Sequence, residues 1–268
     1  MDKYIDQLSQ LMDKLFLQYK LKVSDKIGVL VSGGIDSSII AYYCKKHFPQ
    51  QTILFSFGST TSKDKPYVDI LQKHLKLPVN HLTITQESVN AVIPIVKQLL
   101  NKLFILNSKF SILDSITHTS LAVGYYQIFK EIAKHQINTV FTGQGPDVIM
   151  AGYNKYKKLL VNSYELLGKT IINDLSVLEV DKVRDNAMAN YHNIQLYNPY
   201  LDSDFVSLCL KIPVDYKLHI SNNILIEKYI ERLWGKSLNL PDEIVWRPKM
   251  AFQYSTRVQK LVEKFVYN

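Results

Sequence analysis

A chain of 268 residues with 47% hydrophobic and 21% charged residues has an ordinary globular composition and can bury a sizeable core, which excludes wholesale disorder, a collagen-like repeat and a disulfide scaffold. Lys and Arg exceed Asp and Glu by 32 − 24 = +8, a balance suited to a polyanionic small molecule, nucleic acid or a membrane surface; only Arg184, Arg232, Arg247 and Arg257 are arginines, so most of the charge reads as solvated lysine. No apolar run approaches the ~18 residues of a membrane span, and Met1-Asp2-Lys3-Tyr4-Ile5-Asp6 lacks the basic-then-apolar pattern of a secretory signal, so we expect a cytoplasmic protein without a membrane partner.

Apolar residues at Ile5, Leu8, Leu11, Met12, Leu15, Phe16 and Tyr19 recur at three and four, which predicts an amphipathic helix within residues 1–22. Ile27-Gly28-Val29-Leu30-Val31 is too short for a helix and matches a buried parallel strand. Helical spacing returns at Ile39, Ile40, Tyr43, Cys44 and Phe48, followed by a strand at 52–57 and a helix carrying Tyr67, Ile70, Leu71, His74 and Leu75. A strand at 79–83, a helix near 92–103 that Pro94 starts or kinks, a helix striped by Leu121, Tyr125, Ile128, Phe129 and Ile132, and a strand at 139–141 continue the alternation. This pattern predicts a parallel sheet with helices on both faces over residues 23–155. Beyond about Gly152 the strand signals stop. Segments 159–175, 176–190, 203–210, 221–234 and 256–266 read as helices, so residues 156–268 are expected to form a helical lobe completing one compact unit.

The strongest chemical signal is Ser32-Gly33-Gly34-Ile35-Asp36-Ser37-Ser38, between the first predicted strand and its helix. Ligands of open α/β sheets bind at the carboxyl ends of strands, and helix N-termini present free N–H groups to anions. Gly33 and Gly34 let the backbone close on phosphate oxygens, and Ser32, Ser37 and Ser38 add hydroxyl donors. Asp36 would repel phosphate unless a cation lay between them, which argues for Mg²⁺. A Walker A spacing is absent, and Gly143-Gln144-Gly145 lacks the third glycine of a dinucleotide fingerprint, since Val148 stands there.

The first loop resembles the pyrophosphate-releasing loop of the N-type ATP pyrophosphatases (PP-loop superfamily), which include asparagine synthetase, GMP synthetase, NAD synthetase and several tRNA-modifying enzymes. Three later segments are similar to the synthetase domain of asparagine synthetase: Thr142-Gly143-Gln144-Gly145-Pro146-Asp147 with Gly152-Tyr153, Asn198-Pro199-Tyr200-Leu201-Asp202, and Arg247-Pro248-Lys249-Met250-Ala251-Phe252. The resemblance implies an adenine nucleotide alpha hydrolase-like fold and ATP cleaved between the α and β phosphates. It also implies nucleotide contacts at Val31, Ser32, Gly33, Gly34, Asp36, Ser37, Ser38, Phe57, Thr142 and Gly143, with Asp36 and Asp147 as Mg²⁺ ligands. Lys249, Arg247 and Gln144 are then the candidate catalytic residues, with Lys249 at the phosphates; Arg247 has a second, structural reading as a partner of Asp202 or a helix C-cap.

Departures from that pattern lie on the acceptor side. Gln144 and Val148 replace the two acids of the family loop, and Gln195 and Tyr197 replace a Glu and an Arg near the substrate. A glutamine cannot take a proton as a carboxylate does. The resemblance therefore implies ATP-dependent adenylation of a small-molecule carboxylate or amide oxygen, followed by attack of ammonia or an amine, with an acceptor other than aspartate. Residue 2 is Asp rather than a cysteine nucleophile, so nitrogen is expected free or from a separate glutaminase subunit. Two alternatives stay open: a PP-loop enzyme that modifies tRNA, and a catalytically silenced ATP-binding partner subunit. Cys44, His118 and His192 are expected to be structural, and Tyr153 and Tyr156 to pack the second loop.

Overall fold

Ile27–Leu30 is buried at all four positions, as befits a strand with neighbours on both edges and helices on both faces. The computed structural model describes residues 1–23, 25–106, 115–160, 164–221 and 224–267. In chain order its elements are α1 (Asp2–Lys20), β1 (Ile27–Leu30), α2 (Ile35–His47), β2 (Thr52–Gly58), α3 (Lys65–Leu75), β3 (Val79–Thr83), α4 (Gln86–Leu106), α5 (Ile116–Lys134) and β4 (Thr139–Phe141). There follow α6 (Pro146–Ile149), α7 (Asn154–Leu160), α8 (Tyr164–Asn173), α9 (Leu175–Asn190), β5 (Gln195–Tyr197), a 3₁₀ turn (Pro199–Leu201), α10 (Ser203–Lys211) and α11 (Val214–Lys217). The chain closes with β6 (Leu218–Ser221), β7 (Ile224–Glu227), α12 (Tyr229–Ser237), α13 (Asp242–Val245), α14 (Phe252–Ser255) and α15 (Val258–Tyr267).

The main sheet has the order β3-β2-β1-β4-β5, and every pair is parallel. β1 pairs with β2 from Ile27↔Thr52 to Leu30↔Phe55 and with β4 at Gly28↔Val140 and Val29↔Phe141. Sequence direction reverses between β1 and β4, which opens a crevice at their carboxyl ends. Each face has its own core. Val29 and Phe141 join Phe16 of α1, Cys44 of α2 and Trp234 of α12 on one side; Leu30 and Val140 join Ile93 of α4, Phe129 of α5 and Val262 of α15 on the other. The expected α/β class with helices on both faces is therefore present.

The second half departs from its expected all-helical character. Gln195–Tyr197 adds β5 to the sheet edge, pairing with β4 at Thr139↔Gln195, Val140↔Leu196 and Phe141↔Tyr197. Three residues are too few to display alternation, and Tyr197 is fixed by stacking on Phe141 at 5.2 Å, a contact that needs the sheet to exist first. The segment expected as a helix over 221–234 is a hairpin, β6 against β7, and only from Tyr229 a helix. Ile220 and Leu225 face each other across the two strands, so this apolar pair belongs to a sheet rather than to one helical face. The expected helices over 159–175 and 221–234 also cross residues 161–163 and 222–223, outside the described residues. Pro94 lies inside α4 and does not start it.

Lys217 ends α11 almost fully buried, 2% exposed, and burial lowers its ammonium to about 8, with Cys209 opposing the shift. Below pH 8 both the folded and the unfolded chain carry this proton, so the cost of burying the charge is fully present, about 3 kcal/mol. The cost fades as pH rises through 8 and vanishes above the unfolded value near ~10.4. Lys217→Met is therefore expected to raise the urea midpoint at pH 7 and to lose that advantage by pH 10; equal midpoints at pH 7 would contradict it.

Candidate active site

The crevice between β1 and β4 opens into a cavity of about 350 Å³, and both glycine-containing loops line it. The first loop leaves β1 at Val31, whose N–H donates to Phe55 O at 2.8 Å, and turns through Gly33, held in the left-handed region at φ 67°. Gly34 caps α2. Ser37 Oγ donates to Gly34 O at 3.2 Å and accepts from Ser32 N–H at 3.1 Å, so the hydroxyls brace the turn. Val31, Ser32, Gly34, Asp36 and Ser37 line the cavity, whereas Ser38 is fully buried and donates to Gly34 O at 2.8 Å. Ser38 is thus part of the α2 start and does not line the cavity.

The second loop leaves β4 at Thr142, whose N–H donates to Tyr197 O at 3.0 Å and whose hydroxyl donates to Asn198 Oδ1. Gly143 has to be glycine. A Cβ there would lie 2.7 Å from Ser37 N and 2.8 Å from Asp36 C, so any side chain would push the two loops apart. Their contact brings Asp36 and Asp147 to one cation: Lys228 Nζ lies 2.6 Å from Asp36 Oδ1 and 2.7 Å from Asp147 Oδ1. Lys249 binds the other oxygen, Asp147 Oδ2. Burial opposes ionisation of Asp147, but the two ammonium groups outweigh it and hold its carboxyl well below the usual range. Burial also works against the charge on Lys228, and the carboxylates of Asp147 and Asp36 override it and raise the ammonium. Lys228 itself takes φ 54° immediately before α12, and a Cβ on Gly152 would strike its Cε at 2.2 Å. Glu231, one helical turn on and fully buried, is pushed well above the carboxylate range by burial and by Asp36.

Arg247 does not meet Asp202. It reaches from the C-terminal segment to donate to Ser32 O at 2.7 Å and Asp64 Oδ1 at 2.6 Å, and its guanidinium lies 4.0 Å from the Tyr67 ring centre. Asp64 is 1% exposed, and burial raises its carboxyl although Arg247 and Ser255 counter it. Thr256 O accepts from Ser59 N–H at 2.9 Å and Ser255 O from Lys63 N–H at 2.9 Å, so backbone bonds fasten the same strap to the loop after β2. At that end of the cavity Phe57 meets Phe252 edge-on at 4.9 Å, beside Tyr125, forming an apolar slot next to Val31.

The opposite wall is a buried polar cluster. Arg184, 2% exposed, donates from Nε to Asp185 Oδ1 at 2.7 Å and from Nη1 to Asp181 Oδ1 at 2.7 Å. Nη1 also lies 2.8 Å from His118 Nδ1; since a guanidinium only donates, Nδ1 accepts and the ring proton is on Nε2. Burial, then the neighbouring Arg184 charge, lower His118 to about 4, so it is neutral at pH 7. Burial raises Asp185 to about 6 against the pull of Arg184.

A profile of the asparagine synthase family matches residues 17–169 and 167–266. The chain belongs to the asparagine synthase family. A Methanocaldococcus jannaschii protein assigned as a glutamine-hydrolysing asparagine synthetase is 26% identical over 275 residues, covering 90% of this chain and 47% of its own. The glutamine-hydrolysing asparagine synthetase of Homo sapiens is 29% identical over 248 residues, covering 87% and 40%. The chain thus spans less than half the length of these relatives. The solved NMN synthetase of Francisella tularensis aligns at 12% identity over 100% of this chain and 86% of its own, with a TM-score of 0.43.

Within this asparagine synthase family chain, four of the residues at the crevice carry no sequence signal of their own. Lys228 is hidden in a segment that reads as helix, and the close fit at Gly152 is visible only in three dimensions. Asp64, Arg184 and Asp185 read as surface charges on helices until the neighbouring elements cover them. No group of three or more His, Cys, Asp or Glu suited to a metal occurs among the described residues. No described helix is long and apolar enough to cross a membrane.

The Arg247 contacts are those of a structural tie. Arg247→Ala would leave Asp64 buried without its partner and is expected to cost about 3–5 kcal/mol of unfolding free energy. The double variant with Asp64→Ala should recover most of it. A single variant that unfolds with the parent's denaturant midpoint yet turns over slowly would return Arg247 to the catalytic set.

Proposed function

We propose that this chain is an AMP-forming, ATP-dependent carbon–nitrogen ligase: it adenylates a carboxylate or amide oxygen, releases pyrophosphate, and lets a nitrogen nucleophile displace AMP. The observation that carries this reading is the convergence of Asp36 and Asp147 on Lys228, with Lys249 alongside, at the carboxyl ends of β1 and β4. Family membership and the matching loops support it.

The apolar slot beside Val31 and Phe57 would take the adenine, and the start of α2 with Ser32 and Ser37 the phosphates, where unpaired helix N–H groups and the dipole favour anions. The four charged side chains sum to (+2) + (−2) = 0, so by themselves they offer a polyphosphate no net attraction. Two all-oxygen carboxylates within reach of one ammonium fit Mg²⁺, which takes one or two carboxylates together with phosphate oxygens. Bound between Asp36 and Asp147, that ion would neutralise charge on the triphosphate. Lys249 would stabilise the negative charge that grows on the departing pyrophosphate. Gln144 takes no proton, so the nitrogen nucleophile would deliver its proton to another group or to water.

A pyrophosphate-release screen over amino acids, other carboxylates and bulk tRNA, with ammonium or glutamine present, tests the reading. Release that depends on a small acid supports it; release only with tRNA, or tight ATP binding with no release, overturns it. Aspartate with ammonium is expected to yield little asparagine. Asp36→Asn should abolish release while the fold persists. Lys249→Ala should lower kcat by about 10²-fold with a smaller loss of ATP affinity, because its contact strengthens as charge develops. Equal losses in binding and turnover would make Lys249 a ground-state ATP contact instead.

A further inference from the structure

Lys228 and Lys249 reach the two aspartates from stretches of chain that have little secondary structure of their own to fix them. Lys228 takes φ 54° between β7 and α12, a left-handed backbone that a lysine keeps only where its surroundings hold it. Lys249 stands in the strap between α13 and α14, where the N–H groups of Lys249, Met250 and Ala251 find no backbone acceptor among the described residues. Both positions therefore depend on neighbouring side chains.

Arg232, in the first turn of α12 and 3% exposed, serves both. Its Nε donates at 2.8 Å to Glu227 O, the carbonyl of the peptide that enters the Lys228 turn. Its Nη1 donates to Val245 O and, at 3.1 Å, to Arg247 O, two residues before Lys249. Its Nη2 donates to Glu227 Oε1 at 3.2 Å. That carboxylate oxygen also accepts from the Lys249 N–H at 3.4 Å, and Glu227 Oε2 lies 2.8 Å from Nζ of Lys157 on α7, the helix that follows the second loop. Burial opposes ionisation of Glu227, but Lys157, its own backbone N–H and Arg232 outweigh it and hold the carboxyl below the usual range. One buried ion pair thus joins β7, α7, α12 and the strap. A single ammonium offers its donors from one point and could not span the three carbonyls as this planar fork does.

We propose that Glu227 and Arg232 are positioning residues for the phosphate end of the site: their ion pair sets Lys228 through the turn that carries it, and Lys249 through the strap, so that both ammonium groups meet Asp147 in one fixed geometry. Arg232 borders the cavity, yet its four side-chain bonds all run to the protein, so it acts through the two lysines. The proposal rests on the ligase reading for what the two cations act on; the placement of the strap does not.

Arg232→Lys keeps the charge and loses the fork. It is expected to lower kcat for pyrophosphate release by about 10²-fold and to change KM for ATP by less than about threefold, because a small displacement of positioned groups costs turnover on that scale. In the double variant with Lys249→Ala the loss should fall short of the product of the two single losses by at least about fivefold, since Arg232 acts in part through Lys249; a purely structural role gives the full product. Hydrogen–deuterium exchange supplies a readout without turnover: in Arg232→Lys the peptide over residues 246–252 should exchange at least about tenfold faster, with peptides of β1 and β4 unchanged. Glu227→Gln leaves the guanidinium in place and removes the charge it pairs with. It should show both effects at several-fold size, and it carries the test if Arg232→Lys does not fold. Parent-like turnover and exchange in a folded variant, equal losses in KM and kcat, a full product in the double variant, or loss of the fold in both single variants would overturn the proposal. A parent that releases no pyrophosphate with any acceptor would overturn the ligase reading alone, and selectively faster exchange of the strap in the variants would still support the placement.

Discussion

Asp36 and Asp147 stand on separate loops and point at the same ammonium, and the rest of the site is arranged around that shared charge. Two carboxylates brought this close repel each other unless a cation is held between them. Lys228 provides it from the start of α12, and Lys249 reinforces it from the strap that follows α13. Burying the Lys228 charge would be costly by itself, and the pairing is favourable only because it meets two carboxylates at 2.6 and 2.7 Å. The same contacts tie the second half of the chain to the sheet, so removing the cation would loosen the architecture as well as alter the chemistry.

That arrangement is possible because of strand order. With β1 and β4 adjacent and their helices leaving in opposite directions, two loops meet at one edge and leave a crevice between them. Gly143 sets the spacing, since a Cβ there would overlap the backbone of the first loop. The C-terminal strap then crosses the crevice, held by Arg247 on Asp64 and by backbone bonds from Ser59 and Lys63, before α15 packs on the far face against α4 and α5. One crossing segment delivers Lys249 to the phosphate end and Phe252 to the apolar slot.

The two ends of the cavity are electrostatically distinct. At one end each carboxylate faces an ammonium and the pairs cancel; at the other a single guanidinium serves two aspartates and a neutral histidine. The first end follows the pattern shared with the family, and the second contains Gln144, whereas Gln195 and Tyr197 lie outside this cavity. Gln195 and Tyr197 have become part of β5, where Tyr197 stacks between Phe141 and Tyr19.

The grouping of Asp36, Asp147 and Lys249 was legible only through the resemblance to a family, whereas the amino-acid sequence alone determined the alternating strands and helices of the first half and the strand-to-helix position of Ser32–Ser38. Those features are local: they depend on periodicity, on glycine freedom within a turn, and on motifs whose residues are contiguous. Only the tertiary structure decided that Arg247 binds Asp64 and not Asp202, that Lys228 bridges the two loops, and that Arg184 is buried between Asp181 and Asp185. A charged side chain on a helix has the same sequence signature whether it faces water or a partner far along the chain. β5 and the β6–β7 hairpin were hidden for a related reason: a strand of three or four residues carries too little pattern of its own, and it becomes a strand when a neighbouring edge supplies its hydrogen bonds.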